Sequence, residues 1–218
     1  MNCLAHRGFL SIAPENTLTA VETAIEHGAD GLELDVRRCG SGELVVIHDE
    51  DVDRVTDASG PVSSFSADEL ADLSVLGSDD GVPTLESVCE LVPSSVQLNI
   101  ELKERETATE TVEIARKHAC DLLLSSFSAA ALSEVRTVPS AYLFHDEPGL
   151  HLREANDLDC VAVHPHWHLC TESFITDAKE FGFDINVWTV NNHNLVVDLH
   201  NLGVDGMITD DPAFCLNE

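Results

Sequence analysis

Short apolar runs and longer amphipathic stretches alternate along most of the chain. From residue 96 onward the alternation is regular. Strands are predicted at 96–102, 122–126, 141–144, 160–163, 185–190 and 207–209, with helices at about 107–118, 129–136, 150–156, 173–181 and 194–201 between them. Gly182 and Gly203 stop the last two helices. Ahead of this region, residues 2–5 read as a short strand. Pro14-Glu15-Asn16-Thr17 opens a helix to about His27, with Leu18, Val21 and Ile25 on one face and Asn16 or Thr17 as its cap. Strands alternating with helices of about ten residues predict βα units around a parallel sheet. The strand near residue 33 brings the count to eight, the number of a closed (β/α)8 TIM barrel. A doubly wound open sheet is the alternative, but the first strand is not followed by G-x-G-x-x-G.

One stretch departs from this rhythm and concentrates the chemistry. In Gly31-Leu32-Glu33-Leu34-Asp35-Val36 two acids stand two apart inside an apolar run. On a strand, such residues face the same side. Gly40-Ser41-Gly42 then reverses the chain, and a reversal this short makes an antiparallel hairpin. Folding it about Ser41 returns His48 to the level of Leu34 within a residue of register. Two carboxylates on an apolar segment are costly unless a positive group holds them, and a hard divalent cation is one such group. Residues 49–82 that follow are rich in Asp, Ser and Gly. They read as a surface insertion with one short helix near 67–73, before Pro83-Thr84-Leu85 starts a helix to about Leu91. The whole chain, 1–218, reads as one domain.

Charge narrows the partners. Forty Asp and Glu oppose eleven Lys and Arg, a formal net charge of −29. Such a surface repels nucleic acid and anionic membranes. It is the composition expected of a protein working in molar salt, where self-repulsion is screened. The seven cysteines include no C-x-x-C pair and their number is odd, so they read as reduced thiols of a cytoplasmic protein. No apolar run is long enough to span a bilayer, and residues 1–6 carry no basic and apolar leader pattern.

Polar residues recur at the predicted strand ends: His6 and Arg7, Glu101 and Lys103, His164, Trp188, Asp210. Active sites of parallel barrels lie at that face. Asp210 and Asp211 read as closing the last turn. His6-Arg7-Gly8, Pro14-Glu15-Asn16-Thr17, Gly31-Leu32-Glu33-Leu34-Asp35, His48-Asp49, Asn99-Ile100-Glu101-Leu102-Lys103 and Val187-Trp188-Thr189-Val190-Asn191 follow one another in an order that resembles the glycerophosphodiester phosphodiesterases. The resemblance covers nearly the whole chain. It implies a distorted TIM barrel with an insertion after the His-Asp pair, and hydrolysis of small-molecule glycerophosphodiesters. It implies one divalent cation, Mg²⁺ or Ca²⁺, on Glu33, Asp35 and Glu101. His6 and His48 would be the general acid and base, and Arg7 and Lys103 would bind phosphate. Trp188 and His164 would contact substrate. Lys103 also fits an ordinary ion pair with Glu101, and Glu15 and Asn16 fit either support of Arg7 or helix capping. Two rivals are a related barrel phospholipase, which would want an apolar rim or basic interfacial patch, and a non-catalytic phosphate- or polyol-binding barrel. His164-Pro165-His166-Trp167-His168 would share one side only on a strand, which Pro165 disfavours, so it reads poorly as a second metal site.

Overall fold

The computed structural model describes residues 1–215. Strand β1 (Asn2–His6) pairs in parallel with both β2 (Gly31–Arg38) and the last strand, β9 (Gly206–Thr209), which closes the sheet on itself. Between them run β4 (Gln97–Leu102), β5 (Asp121–Ser126), β6 (Ser140–Phe144), β7 (Ala162–Pro165) and β8 (Asp184–Val187), each parallel to its neighbours. Eight parallel strands therefore form the expected TIM barrel, and the antiparallel β3 (Leu44–Val46) stands outside it as the hairpin arm of β2.

The helices fall where the amphipathic stretches place them. They are α1 (Leu18–Glu26), α3 (Leu85–Leu91), α4 (Ala108–Lys117), α5 (Ala129–Leu132), α6 (Pro148–Asp157), α7 (Glu172–Glu180) and α8 (His193–Leu202), with α2 (Ala67–Ala71) inside the insertion. Their apolar faces and the outward faces of the strands make one continuous core, while Leu123, Ala141 and Ala162 form a small cluster inside the barrel. Thr17 caps α1 by accepting from the Ala20 amide at 3.1 Å. Asn16 turns instead to Asp35, donating from Nδ2 at 3.0 Å.

The insertion is more than a surface excursion. Val52, Val55, Val62, Leu70, Val75 and Val82 are buried together with Cys39, Val45 and Ile47 in a second, separate core. Alternation along the hairpin arm explains the junction: Leu44 and Val46 face the main core, Val45 and Ile47 the second one. The arm is thus fixed on both faces, and His48 follows directly on it.

The cysteines correct the reading of reduced thiols. Cys3 and Cys215 form a disulfide, which ties β1 to the segment after β9; β1 and β9 are neighbours, so the two ends of the described chain meet. Cys39, Cys89, Cys120, Cys160 and Cys170 are free. No helix among the described residues is long and apolar enough to cross a membrane.

Candidate active site

The hairpin register sets the first part of the site. Val36 pairs with Val46 and Arg38 with Leu44, so extending the ladder by two places puts His48 opposite Leu34. The Ile47 amide donates to the Asp35 carbonyl at 3.0 Å, and Arg37 Nε donates to the His48 carbonyl at 2.8 Å. On the far side, β4 aligns Asn99 with Glu33 and Glu101 with Asp35. Glu33, Asp35 and Glu101, all buried, consequently offer three carboxylate oxygens within 4.8 Å of one another.

The turn after β1 brings the cationic side. Arg7, Gly8 and Phe9 all take positive φ (50°, 84° and 56°). A side chain at Gly8 would collide with Ala20 at 2.6 Å, so this turn presses directly on α1 and requires glycine there. The constrained backbone aims Arg7 inward. Its Nε lies 3.2 Å from Asp35 Oδ2 and its Nη1 donates to Glu15 Oε1 at 2.8 Å. Lys103 Nζ spans the carboxylates, 2.9 Å from Asp35 Oδ1 and 2.5 Å from Glu101 Oε1.

These charges reshape one another. Burial works against ionising all three acids. Lys103 and Arg7 overcome it at Asp35, which is held far below the usual carboxylate range. Burial, reinforced by the Asp35 charge, pushes Glu33 and Glu101 upward. The acids thus carry more potential negative charge than the two basic residues compensate.

Each histidine is gripped at Nδ1 by an aspartate. His6 donates to Asp210 Oδ1 at 2.5 Å, and His48 to Asp49 Oδ1 at 2.6 Å. The aspartates differ in what stands behind them. Asp210 accepts from the neutral Asn191 amide at 2.5 Å, whereas Asp49 accepts from the Arg54 guanidinium at 2.5 Å. Burial opposes charge on His6, but Asp210 and Glu33 outweigh it and raise its pKa. Burial also opposes charge on His48; there Asp35 and Asp49 do not make up the loss, Lys103 and Arg7 add to it, and the pKa falls. The Arg54 hydrogen bond pulls Asp49 down to about 2.

A cavity of about 340 Å³ collects these groups. His6, Arg7, Glu33, His48 and Glu101 line one side; Phe127, Leu143, Trp188 and Ile208 line the other. Trp188 donates from Nε1 to the His164 carbonyl at 2.8 Å and meets Phe127 edge-to-face at 5.5 Å. Of the residues singled out in the sequence, eight converge on this cavity or on the carboxylates beneath it. His164 is the exception and a correction. It points into the barrel, fully buried, with Nε2 on the Asn186 amide at 3.1 Å, and burial lowers its pKa to about 3. It stays neutral and does not line the cavity. Asp210 is a correction in the other direction: it holds His6 rather than merely closing a turn, while Asp211 caps the following turn through the Ala213 amide at 2.8 Å.

Comparison with known proteins places this arrangement. The chain is 32% identical to the glycerophosphodiester phosphodiesterase of Caldanaerobacter subterraneus over 98% of its own length and 96% of that protein. It is 33% identical to the Bacillus altitudinis glycerophosphodiester phosphodiesterase over 95% and 94%. The structure of an Oleispira antarctica phosphodiesterase in complex with the product sn-glycerol-3-phosphate superposes with a TM-score of 0.90 at 29% identity, covering 97% of this chain and 94% of that one. The Thermotoga maritima glycerophosphodiester phosphodiesterase superposes at 0.86 with 32% identity over 96% and 94%. The match to the Glycerophosphoryl diester phosphodiesterase family runs over residues 6–214, from the histidine that ends β1 to the turn beyond β9, and the chain belongs to that family of phosphoric diester hydrolases.

Proposed function

We propose that this chain hydrolyses glycerophosphodiesters to an alcohol and glycerol phosphate, with His6 and His48 as general acid and base and with Glu33, Asp35 and Glu101 holding one divalent cation, Mg²⁺ or Ca²⁺. One observation carries the reading. Two histidines, each fixed at Nδ1 by its own aspartate, line a single cavity together with Arg7 and two of the three clustered carboxylates. The product bound by the Oleispira relative agrees with a glycerol phosphate in such a site.

The carboxylates suit a hard cation on grounds internal to the chain. All three donors are oxygens, they are buried, and Glu33 Oε2 has no hydrogen-bond partner among the described residues. A bound divalent ion supplies Lewis-acid stabilisation of charge on phosphoryl oxygens. The side chains account for the rest. Arg7 presents a fixed positive charge to the phosphate from the cavity wall, and Lys103 is the second cation at the carboxylates. Trp188, Phe127 and Leu143 give the opposite wall an apolar surface suited to the carbon skeleton of glycerol. His48, whose pKa burial lowers, is disposed to the neutral form that can take the proton of the attacking water or hydroxyl. His6, held by Asp210, returns a proton to the departing alkoxide. The new P–O bond comes from the attacking oxygen, the alcohol's P–O bond breaks, and one water is consumed in total.

Glycerophosphocholine incubated in high salt, with and without EDTA, tests the proposal. Release of glycerol phosphate that EDTA stops is the expected result. Absence of turnover across choline, ethanolamine, inositol and glycerol diesters would leave only a binding role. Phosphorus NMR of the same reaction separates direct attack by water from attack by the neighbouring glycerol hydroxyl, because only the second passes through a cyclic phosphate.

A further inference from the structure

Arg54 belongs to none of the sequence patterns that mark the site, yet it touches both halves of it. It sits in the insertion between Val52 and Val55, which are buried in the second core and fix the backbone on either side. Its side chain, about half exposed, reaches back over the site. Nη1 and Nη2 donate to Glu15 Oε2 and Oε1 at 2.9 and 2.8 Å, and Nε donates to Asp49 Oδ2 at 2.5 Å. Glu15 in turn accepts from Arg7, and Asp49 from His48. A guanidinium is the side chain suited to such a bridge, because its planar fork engages two carboxylates in fixed directions.

We propose that Arg54 is a positioning residue that sets Arg7 through Glu15 and His48 through Asp49, so that the insertion locks the phosphate-binding and proton-accepting sides of the site in register. The proposal rests on the hydrolase reading for what those two residues do. Removing the guanidinium leaves Glu15 paired only with Arg7 and Asp49 only with His48, with no side chain joining their two segments. Arg7 then loses the anchor of its partner, and His48 is held by an aspartate whose charge is no longer shared. The charged groups acting on His48 are Asp49 from the insertion, Asp35 from β2, Lys103 after β4 and Arg7 after β1, with His6, Glu33 and Glu101 lining the same cavity and Arg54 standing behind Asp49. Of these only Arg54 changes, and it is positive, so its loss favours the imidazolium.

Steady-state kinetics of Arg54→Met and Arg54→Lys across pH test this. Arg54→Met is expected to lower kcat by about 10- to 100-fold and raise KM, as loss of an orienting partner does. The acidic limb of kcat/KM is expected to move to higher pH, because His48 must be neutral to accept a proton. Arg54→Lys keeps the charge but cannot fork across both carboxylates. It should return the acidic limb to the wild-type position and recover only part of kcat. A residue that merely braces the loop would lower stability without moving the limb. Wild-type kcat, KM and limb position in folded Arg54→Met overturn the proposal; if that variant does not fold, wild-type kcat and KM in Arg54→Lys overturn it. NMR titration of the His48 ring needs no turnover. An upward shift in Arg54→Met supports the coupling even if the wild type hydrolyses none of the diesters tested, an unshifted ring defeats it, and absence of wild-type turnover defeats the hydrolase reading alone.

Discussion

Asp210 Oδ1 lies 2.5 Å from His6 Nδ1, although 204 positions separate the two residues in the chain. β1 and β9 are adjacent in the closed barrel, so the ends of the first and last strands face the cavity side by side. Asn191, from the turn after β8, completes the arrangement with its amide on Asp210 Oδ2 and its carbonyl oxygen on the Asp210 amide at 3.0 Å. The aspartate therefore fixes the ring tautomer that leaves His6 Nε2 free on the cavity side.

Asp210→Asn should keep the fold and lower kcat by roughly 10²- to 10³-fold, within the range contributed by a positioned acid or base. KM should change little, since Asp210 does not line the cavity. Asn191→Asp, which sets a second carboxylate against Asp210, should be impaired as well. Measured kcat within a few-fold of wild type in Asp210→Asn would remove Asp210 from the mechanism.

Much of this site is legible in the sequence because its determinants are local. The two-residue spacing of Glu33 and Asp35, the glycine turn at 40–42 and the position of His48 give the hairpin, and its register to within one residue, with no information from elsewhere. What escaped detection is nonlocal or carries no period. Asp210 meets His6 only after the barrel closes. The valines of the second core are interspersed with Asp, Ser and Gly, so residues 49–82 show neither a two-residue nor a helical repeat, and the anchoring of Arg54 there is invisible. His164 has the correct inward direction for substrate contact but is fully buried, with its ring on the Asn186 amide beside it and its carbonyl on the Trp188 indole. Cysteine count is blind to the pairing of Cys3 with Cys215, which depends on which strands are neighbours.

The pH dependence follows from His48. Burial sets its pKa below the ordinary 6.5, and Lys103 and Arg7 lower it further. In its proposed role as proton acceptor His48 would act when neutral, so activity is expected to persist below pH 6.5 and to be lost as pH falls through the depressed pKa. Asp49→Asn removes the carboxylate that favours the imidazolium. The acidic limb should then move to still lower pH, while kcat falls because the ring is no longer oriented. This shift is opposite to that expected for Arg54→Met. A pH–rate profile of kcat/KM decides: an acidic limb at or above 6.5 in the wild type would contradict a depressed His48 pKa.

The three carboxylates are not equivalent, and the difference is testable. Among the described residues the Glu101 side chain bonds only Lys103, whereas Asp35 holds Arg7, Lys103 and Asn16 at once. Glu101→Gln should abolish Mg²⁺ or Ca²⁺ binding in a calorimetric titration with a small change in melting temperature. Asp35→Asn should lose the ion too, but it also leaves two buried cations short of a partner. A stability loss of about 3–5 kcal/mol is expected from breaking a buried pair. Full activity of Glu101→Gln after EDTA treatment would refute the metal role.

Salt should act on the whole molecule rather than on the site. A net charge of −29 on 218 residues makes self-repulsion a large term against the compact state. The few surface ion pairs, such as Lys117 with Glu86 at 3.4 Å and Arg105 with Glu134 at 3.4 Å, weaken as salt rises. Exposed pairs of this kind contribute about 0–1 kcal/mol each. Raising ionic strength from 0.1 M to 1 M shortens the screening length from about 10 Å to about 3 Å, which removes most of the long-range repulsion while buried pairs around Asp35 are shielded far less. The repulsion outweighs the pairs, so the thermal midpoint should climb as KCl is raised from 0.1 M toward molar concentrations. Circular dichroism melts across that series check it, and a midpoint that falls with KCl would contradict the salt-adapted reading of the composition.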